Sequence, residues 1–265
     1  MNIIGLFLGS TNFPIKILNK IKKKKYPYFI IDLTKNNFFK RDKNSHFVNI
    51  GKFGYILNLI KEKKCKKVLF AGKIDKPNIT NLKLDLKGIY YLPRIVKASK
   101  LGDAAILKAL MNILHENKIK VIESNFFNPE LTLPRGNFTK IKPTKSDLIS
   151  IKKGIATLNK LNAHNHVQGL IIKENTIIKK ETSKGTKKML QSVNKTKNNG
   201  AILIKFPKKK QDLRADLPTI GMDTLKDCKK FNLKGIVLKS NQNILLDKRE
   251  CINFANKNKI FIKII

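Results

Sequence analysis

The segment Gln211-Asp212-Leu213-Arg214-Ala215-Asp216-Leu217-Pro218-Thr219-Ile220-Gly221 gathers two carboxylates, a guanidinium, a proline and a glycine into one short stretch. Pro218 fixes its own backbone and pushes Leu217 toward extended geometry, while Gly221 can supply a turn or a helix start. Asp212 and Asp216 are four positions apart, which puts them on one face of a helical or an extended run. Arg214 is one of five arginines in a chain that otherwise writes its cations as lysine. A planar guanidinium fork grips phosphate or carboxylate bidentately, as an ammonium cannot. Two readings of it are open, an anion grip and a structural salt bridge within a turn. Carboxylates beside a phosphate-binding cation are what a magnesium-dependent phosphoryl site needs, because that hard ion takes oxygen ligands. Asp223 and Asp227 follow closely and read as helix-capping, solvated residues.

Other chemistry-bearing positions are scattered. Gly9-Ser10-Thr11-Asn12-Phe13-Pro14 follows an apolar run and precedes a helical pattern, so its backbone N–H groups could face a phosphate. It carries one glycine and matches neither a dinucleotide fingerprint nor a Walker loop. Gly72-Lys73 closes another apolar run. Glu181 precedes Ser183-Lys184-Gly185-Thr186, a turn into a helix whose first amides can receive an anion or simply be capped. His164 and His166 stand without other histidines nearby and read as polar loop residues rather than metal ligands. Cys65, Cys228 and Cys251 are far apart, which supports neither a disulfide framework nor a zinc knuckle and points to a reducing, cytoplasmic compartment.

The elements that must position these residues alternate strand and helix. Ile3 to Leu8, Tyr28 to Leu33 and Val68 to Ala71 read as buried parallel strands, with helices from near Pro14 and from about Gly51 to Lys64. Gly9 and Gly72-Lys73 would then sit beyond the carboxyl ends of strands, where such sheets bind ligands. Asp103 reads as the N-cap of a helix running to about Asn117, and Val121 to Glu123 as a further strand. Pro129, Pro134, Gly136 and Pro143 interrupt all periodicity and mark a boundary. Beyond it come a helix from Ser146, strands Gly169 to Ile172 and Thr176 to Ile178 joined at Glu174-Asn175, a helix from Thr186, a strand Ala201 to Lys205, a helix from Asp223, and strands near Gly235 and Ile260. The expected fold is α/β in two parts: residues 1–131 a doubly wound domain, 132–143 a linker, and 144–265 a distinct α/β domain with a mixed sheet.

The chain has 265 residues, a net charge of +38 and 42% hydrophobic content, enough for a sizeable core. Lysine, asparagine and isoleucine are over-used together along its whole length, so the charge reads as compositional drift rather than a nucleic-acid stripe. Tryptophan is absent and the other aromatics are not interleaved with the basic runs, as a single-strand platform requires. No specific nucleic-acid partner is expected, although a positive surface attracts phosphorylated substrates and acidic head groups. No run approaches the length of a membrane span.

Asp212-Leu213-Arg214-Ala215-Asp216-Leu217-Pro218-Thr219-Ile220-Gly221 resembles the D-x-R-x-D-x-P-T-x-G core of the LpxI-type UDP-2,3-diacylglucosamine pyrophosphatases. Leu8 to Pro14 resembles that family's first glycine loop, Phe70 to Pro77 its A-G-K-x-x-x-P turn, and Gly102 to Leu107 its G-D-x-x-L-L helix start. Lys184-Gly185-Thr186-Lys187 stands where the family usually has E-G-T-D, and Asn165-His166-Val167-Gln168 where it has D-V-G-Q. The resemblance implies Mg²⁺-dependent cleavage, with Mn²⁺ as a substitute ion, of a UDP-linked diacylated sugar lipid to UMP and a sugar 1-phosphate in lipid A synthesis. It implies a two-domain cytoplasmic enzyme, residues 1–131 Rossmann-like and 144–265 a catalytic α/β domain, in peripheral contact with the inner membrane, and a homodimer is the assembly to look for. Asp216, Arg214 and Lys205 are the expected catalytic residues, with Asp216 and Asp212 on the metal. Gly9, Ser10, Asn12, Phe13, Gly72, Lys73, Gln168, Gly185, Thr186 and Thr219 are the expected substrate contacts.

Overall fold

A computed structural model describes residues 2–74, 82–164, 167–209 and 211–265. By internal contacts it divides into one unit of Met1–Pro129 with Asp212–Asp216, and a second of Glu130–Gln211 with Leu217–Ile265.

The first unit holds five parallel strands, β1 Ile4–Leu8, β2 Tyr28–Asp32, β3 Ser45–Phe47, β4 Lys67–Ala71 and β5 Lys120–Ile122, in the order β3-β2-β1-β4-β5. This is the strand order of the Rossmann sheet, with its switch point between β1 and β4. All five residues of β1 are buried, as a strand covered on both faces demands of its side chains. Helix α1, Asn12–Lys23, lays Phe13, Ile17, Leu18 and Ile21 on the sheet and ends in lysines that suit its negative pole. Helix α2 is Phe53–Glu62, α3 is Leu86–Ser99 and α4 is Asp103–Glu116. Gly102, not Asp103, takes the N-cap of α4, because its φ of 99° suits glycine alone and lets the helix start at Asp103.

The second unit is built on a six-stranded mixed sheet in the order β6-β13-β11-β9-β7-β8. Its strands are β6 Gly136–Asn137, β7 Gly169–Lys173, β8 Thr176–Lys180, β9 Ile202–Lys205, β11 Gly235–Leu238 and β13 Phe261–Ile264. β9, β11 and β13 run parallel, while β7 is antiparallel to both β9 and β8 and β6 is antiparallel to β13. A separate pair, β10 Thr219–Ile220 and β12 Ile244–Leu245, lies beyond the Asp212–Asp216 turn. The helices are α5 Lys145–His164, α6 Gly185–Gln191, α7 Met222–Lys230 and α8 Lys248–Lys257. The β7–β8 turn places Glu174 and Asn175 at φ 46° and 63°, the paired positive angles of a tight hairpin.

Candidate functional site

The Asp212–Asp216 segment is a single helical turn. The Asp216 N–H donates to the Asp212 carbonyl at 3.0 Å, which sets the two carboxylates on one face. Arg214 closes back on Asp212, with Nε 3.0 Å from Oδ1 and a terminal nitrogen 2.7 Å from Oδ2, and its own N–H also donates to Oδ1. The Arg214 fork beside it, aided by the Arg214 N–H and Lys108, outweighs partial burial and holds the Asp212 carboxyl below the usual carboxylate range. The turn is anchored in the first unit. The Ser124 N–H donates to the Arg214 carbonyl at 2.6 Å, and Ala215 packs against the core that contains Phe7, Phe70 and Leu114.

The loops at the switch point are joined to each other. Gly9 N–H donates to Ala71 O at 2.9 Å, and Ser10 and Lys73 form an antiparallel bridge at 2.9 and 3.1 Å. The Ser10 hydroxyl also donates to Lys73 O at 3.2 Å. A Cβ on Gly9 would come within 2.2 Å of the Lys73 carbonyl, and one on Gly72, at φ 86°, within 2.5 Å of Pro14. Both glycines are therefore required for loop closure, and the amides of Gly9, Ser10 and Lys73 are already bonded. What these loops offer an anion is the exposed Lys73 ammonium and the Asn12 and Phe13 amides that open α1. The Phe13 ring is buried in the core. Asp32, at the end of β2 where many Rossmann folds bind ribose, accepts from Thr34 N and Oγ1 and from Phe39 N and is fully buried.

In the second unit two expected residues, Lys205 and Thr186, converge on Glu181, which the sequence marks only as preceding a helix start. Lys205, at the end of β9, and Glu181, just after β8, are each 6% exposed. Their charged ends lie 3.6 Å apart, and the Thr186 hydroxyl bridges them, donating to Glu181 Oε1 at 2.8 Å and contacting the Lys205 ammonium. Pairing of β7 with β9 sets Gly169 opposite Lys205, and the hydrogen at Gly169 makes room for the second oxygen of Glu181. That oxygen and Oε1 of the neighbouring Gln168 have no hydrogen-bond partner among the described residues. Gly185 begins α6 at φ 81° with open space around it, Lys184 and Lys187 are exposed, and Thr219 spends its hydroxyl on the Leu217 carbonyl at 3.1 Å. Asn165 and His166 lie outside the described residues. All three thiols are buried, and burial raises the Cys65 and Cys228 pKa values, so neither serves as a nucleophile.

Residues 3–131 match the model of the LpxI N-terminal domain, and residues 134–263 that of the LpxI C-terminal domain. The chain belongs to the LpxI family. A Caulobacter vibrioides relative, UDP-2,3-diacylglucosamine pyrophosphatase LpxI, is 28% identical over 223 residues, covering 81% of this chain and 80% of its own. The Asp212–Gly221 turn, the bridged switch-point loops and the Glu181–Thr186–Lys205 cluster are the polar groupings that the two LpxI domains build here.

Among the described residues no group of three or more histidines, cysteines and carboxylates converges as a metal cage would. Mg²⁺ does not require one, since it is commonly held by one or two carboxylates, waters and the phosphates of its substrate. Asp216 and Asp212, on one face of one turn, fit that mode of binding.

Proposed function

We propose that this LpxI chain hydrolyses the pyrophosphate bond of UDP-2,3-diacylglucosamine, releasing UMP and 2,3-diacylglucosamine 1-phosphate, at the cytoplasmic face of the inner membrane. The observation that carries the reading is the Asp212–Asp216 turn, which sets two carboxylates on one face with a bidentate-capable arginine folded back onto Asp212. Asp216, with Asp212, would hold Mg²⁺, whose charge offsets that of the pyrophosphate and eases attack at phosphorus. Asp216 is exposed and also suits the orienting of a water molecule. Arg214 is half-exposed, and its guanidinium carries donors beyond the two that Asp212 occupies, so it can meet charge growing on the leaving phosphate. Asp212 thus acts first as the group that fixes the plane of that guanidinium. Lys205 and Thr186 form a polar pair in the second unit, held by Glu181, and Lys73 offers an exposed cation at the switch point of the first.

No helix of the described residues is long and apolar enough to cross a membrane, which suits a peripheral approach to a lipid substrate. The deciding experiment incubates pure protein with UDP-2,3-diacylglucosamine and Mg²⁺ and follows UMP. Release above a no-enzyme control that is abolished by chelator supports the proposal. Absence of UMP overturns it, and tight UDP binding without product would mark a nucleotide-sugar binding protein instead.

A further inference from the structure

Helix α3 is 14 residues long, yet only Gly88 and Ala98 are buried on it. Its inward apolar residues Tyr91, Leu92 and Ile95 are partly exposed, as are Ile106 and Leu110 on the facing side of α4. The space between them is a cavity of about 240 Å³ walled by Phe53, Leu92, Ile95, Ile106, Leu110 and Ile113, with Ser99 also lining it. Protein interiors rarely keep voids much larger than a water molecule, and an apolar one has nothing to hold water in place.

Polar ties keep this one from collapsing. Asp85 accepts from Gly88 at the start of α3 at 2.7 Å and from Gly54 and Tyr55 at the start of α2 at 3.0 and 2.9 Å, so one carboxylate pins both helix ends. Gly88 approaches the Gly51 carbonyl so closely that a Cβ would lie 2.1 Å from it. Further along, Arg94 of α3 makes a bidentate pair with Glu116 of α4 at 2.6 and 2.7 Å. Between these ties the helix is bridged across the gap instead of packed into it.

We propose that this cavity of the first unit binds a fatty acyl chain of the UDP-linked diacyl sugar, an inference that rests on the substrate class proposed above. Helix α4 links the cavity to the reactive turn. It sends Ile106 and Leu110 into the cavity wall, its Lys108 acts electrostatically on Asp212, and Leu110 and Ala215 pack on the same core. One helix thus lines the cavity and acts on the Asp212–Asp216 turn, both within the first unit. The outer side of α3 is also built for a lipid, with Leu86, Ile89 and Tyr90 exposed among the lysines Lys83, Lys87 and Lys97.

The test uses the absence of native tryptophan. In Ser99→Trp, at the cavity lining, the indole is the sole reporter, and 2,3-diacylglucosamine 1-phosphate carrying dibrominated acyl chains is the probe. Saturable quenching, displaced by unlabelled lipid but not by UDP alone, is expected. Vesicles of brominated phospholipid form the second arm, and quenching by them alone would mean that the groove meets bulk membrane lipid and would overturn the assignment. Ile106→Trp fills the space. Its kcat/KM should fall about tenfold for long-chain substrates and progressively less as the acyl chains shorten, whereas an equal loss at every length would refute the proposal. Leu110→Phe is the milder filling variant and makes the same demand on chain-length dependence. If wild-type protein releases no UMP while Ser99→Trp is still quenched by the lipid, the hydrolase reading fails and the acyl site stands. Hydrolysis without quenching has the opposite meaning.

Discussion

Replacing Lys205 by methionine separates a structural from a chemical role for the buried Glu181–Thr186–Lys205 cluster. At 3.6 Å the lysine and glutamate attract by about 4–5 kcal/mol at an effective dielectric of about 20, and both have given up most of their hydration. Lys205→Met leaves Glu181, already with one unpartnered oxygen, as a buried carboxylate without its cation. Breaking such a pair from one side costs about 3–5 kcal/mol, or roughly 10 °C in the melting of a chain of this size. Glu181→Gln in the same chain removes the stranded charge, so the double variant should recover more than half of that loss. A double-mutant cycle in thermal and urea melts measures the coupling, and UMP release is followed on each variant at a temperature where it is folded. If Lys205 meets the substrate, the double variant regains its fold but stays at least about 10²-fold slow, as loss of a charge-stabilising donor requires. Stability and turnover recovering together would confine Lys205 to holding the second unit together. Independent, additive losses from the two single variants would refute the coupled-pair reasoning itself.

Asp216→Asn should leave melting and UDP affinity nearly unchanged and lower kcat by about 10²-fold or more, and near-normal turnover would remove it from the mechanism. Asp85, although partly desolvated, is held below the usual carboxylate range by the N–H groups of Gly88, Gly54 and Tyr55. Because its pKa is lower folded than unfolded, its contribution is complete above about pH 4 and is lost as the pH falls below that. Asp85→Ala should therefore cost about 1–2 kcal/mol at neutral pH, while Asp85→Asn keeps most of the cap and flattens the acid limb of a pH–melting curve. Lys187, exposed at the start of α6 where the family usually has an aspartate, opposes the helix pole by about 0.3–1 kcal/mol. Lys187→Asp should raise KM for the UDP-lipid more than it lowers kcat, and an unchanged KM with a higher melting temperature would show a plain surface cap.

Elements buried on both faces or joined by a tight turn were legible in the sequence. β1 announces itself as an unbroken apolar run, and Glu174-Asn175 announces the β7–β8 hairpin. Helix α3 was not legible, because Pro93 sits inside it and its apolar residues face outward and into a cavity rather than forming one stripe. β3 is three residues long, and α8 buries only Cys251 and Ala255, too small a signal for a period to emerge. Within the site, the shared face of Asp212 and Asp216 follows from spacing alone. The Ser10–Lys73 bridge does not, since it ties loops 63 residues apart and turns amides that look free in sequence into bonded ones. Glu181 was passed over for a similar reason, since only the pairing of β7 with β8 and β9 brings it to Lys205. A useful signal was its scarcity, because each of the 18 acidic residues is conspicuous in so basic a chain.

Because Asp212–Asp216 belongs by its contacts to the first unit while Gln211 and Leu217 on either side belong to the second, the first unit is not finished when its own 129 residues have been made. Ser124 is almost completely buried, and its N–H meets its acceptor only at the Arg214 carbonyl. On the ribosome that amide waits about 90 residues of synthesis, with the edge of the first core uncovered where Ala215 will lie. The five-residue strip therefore acts as a late fastener. A fragment ending near Leu131 should fold loosely, a second polypeptide supplying residues 132–265 should tighten it, and cleavage at the strip should loosen both halves at once.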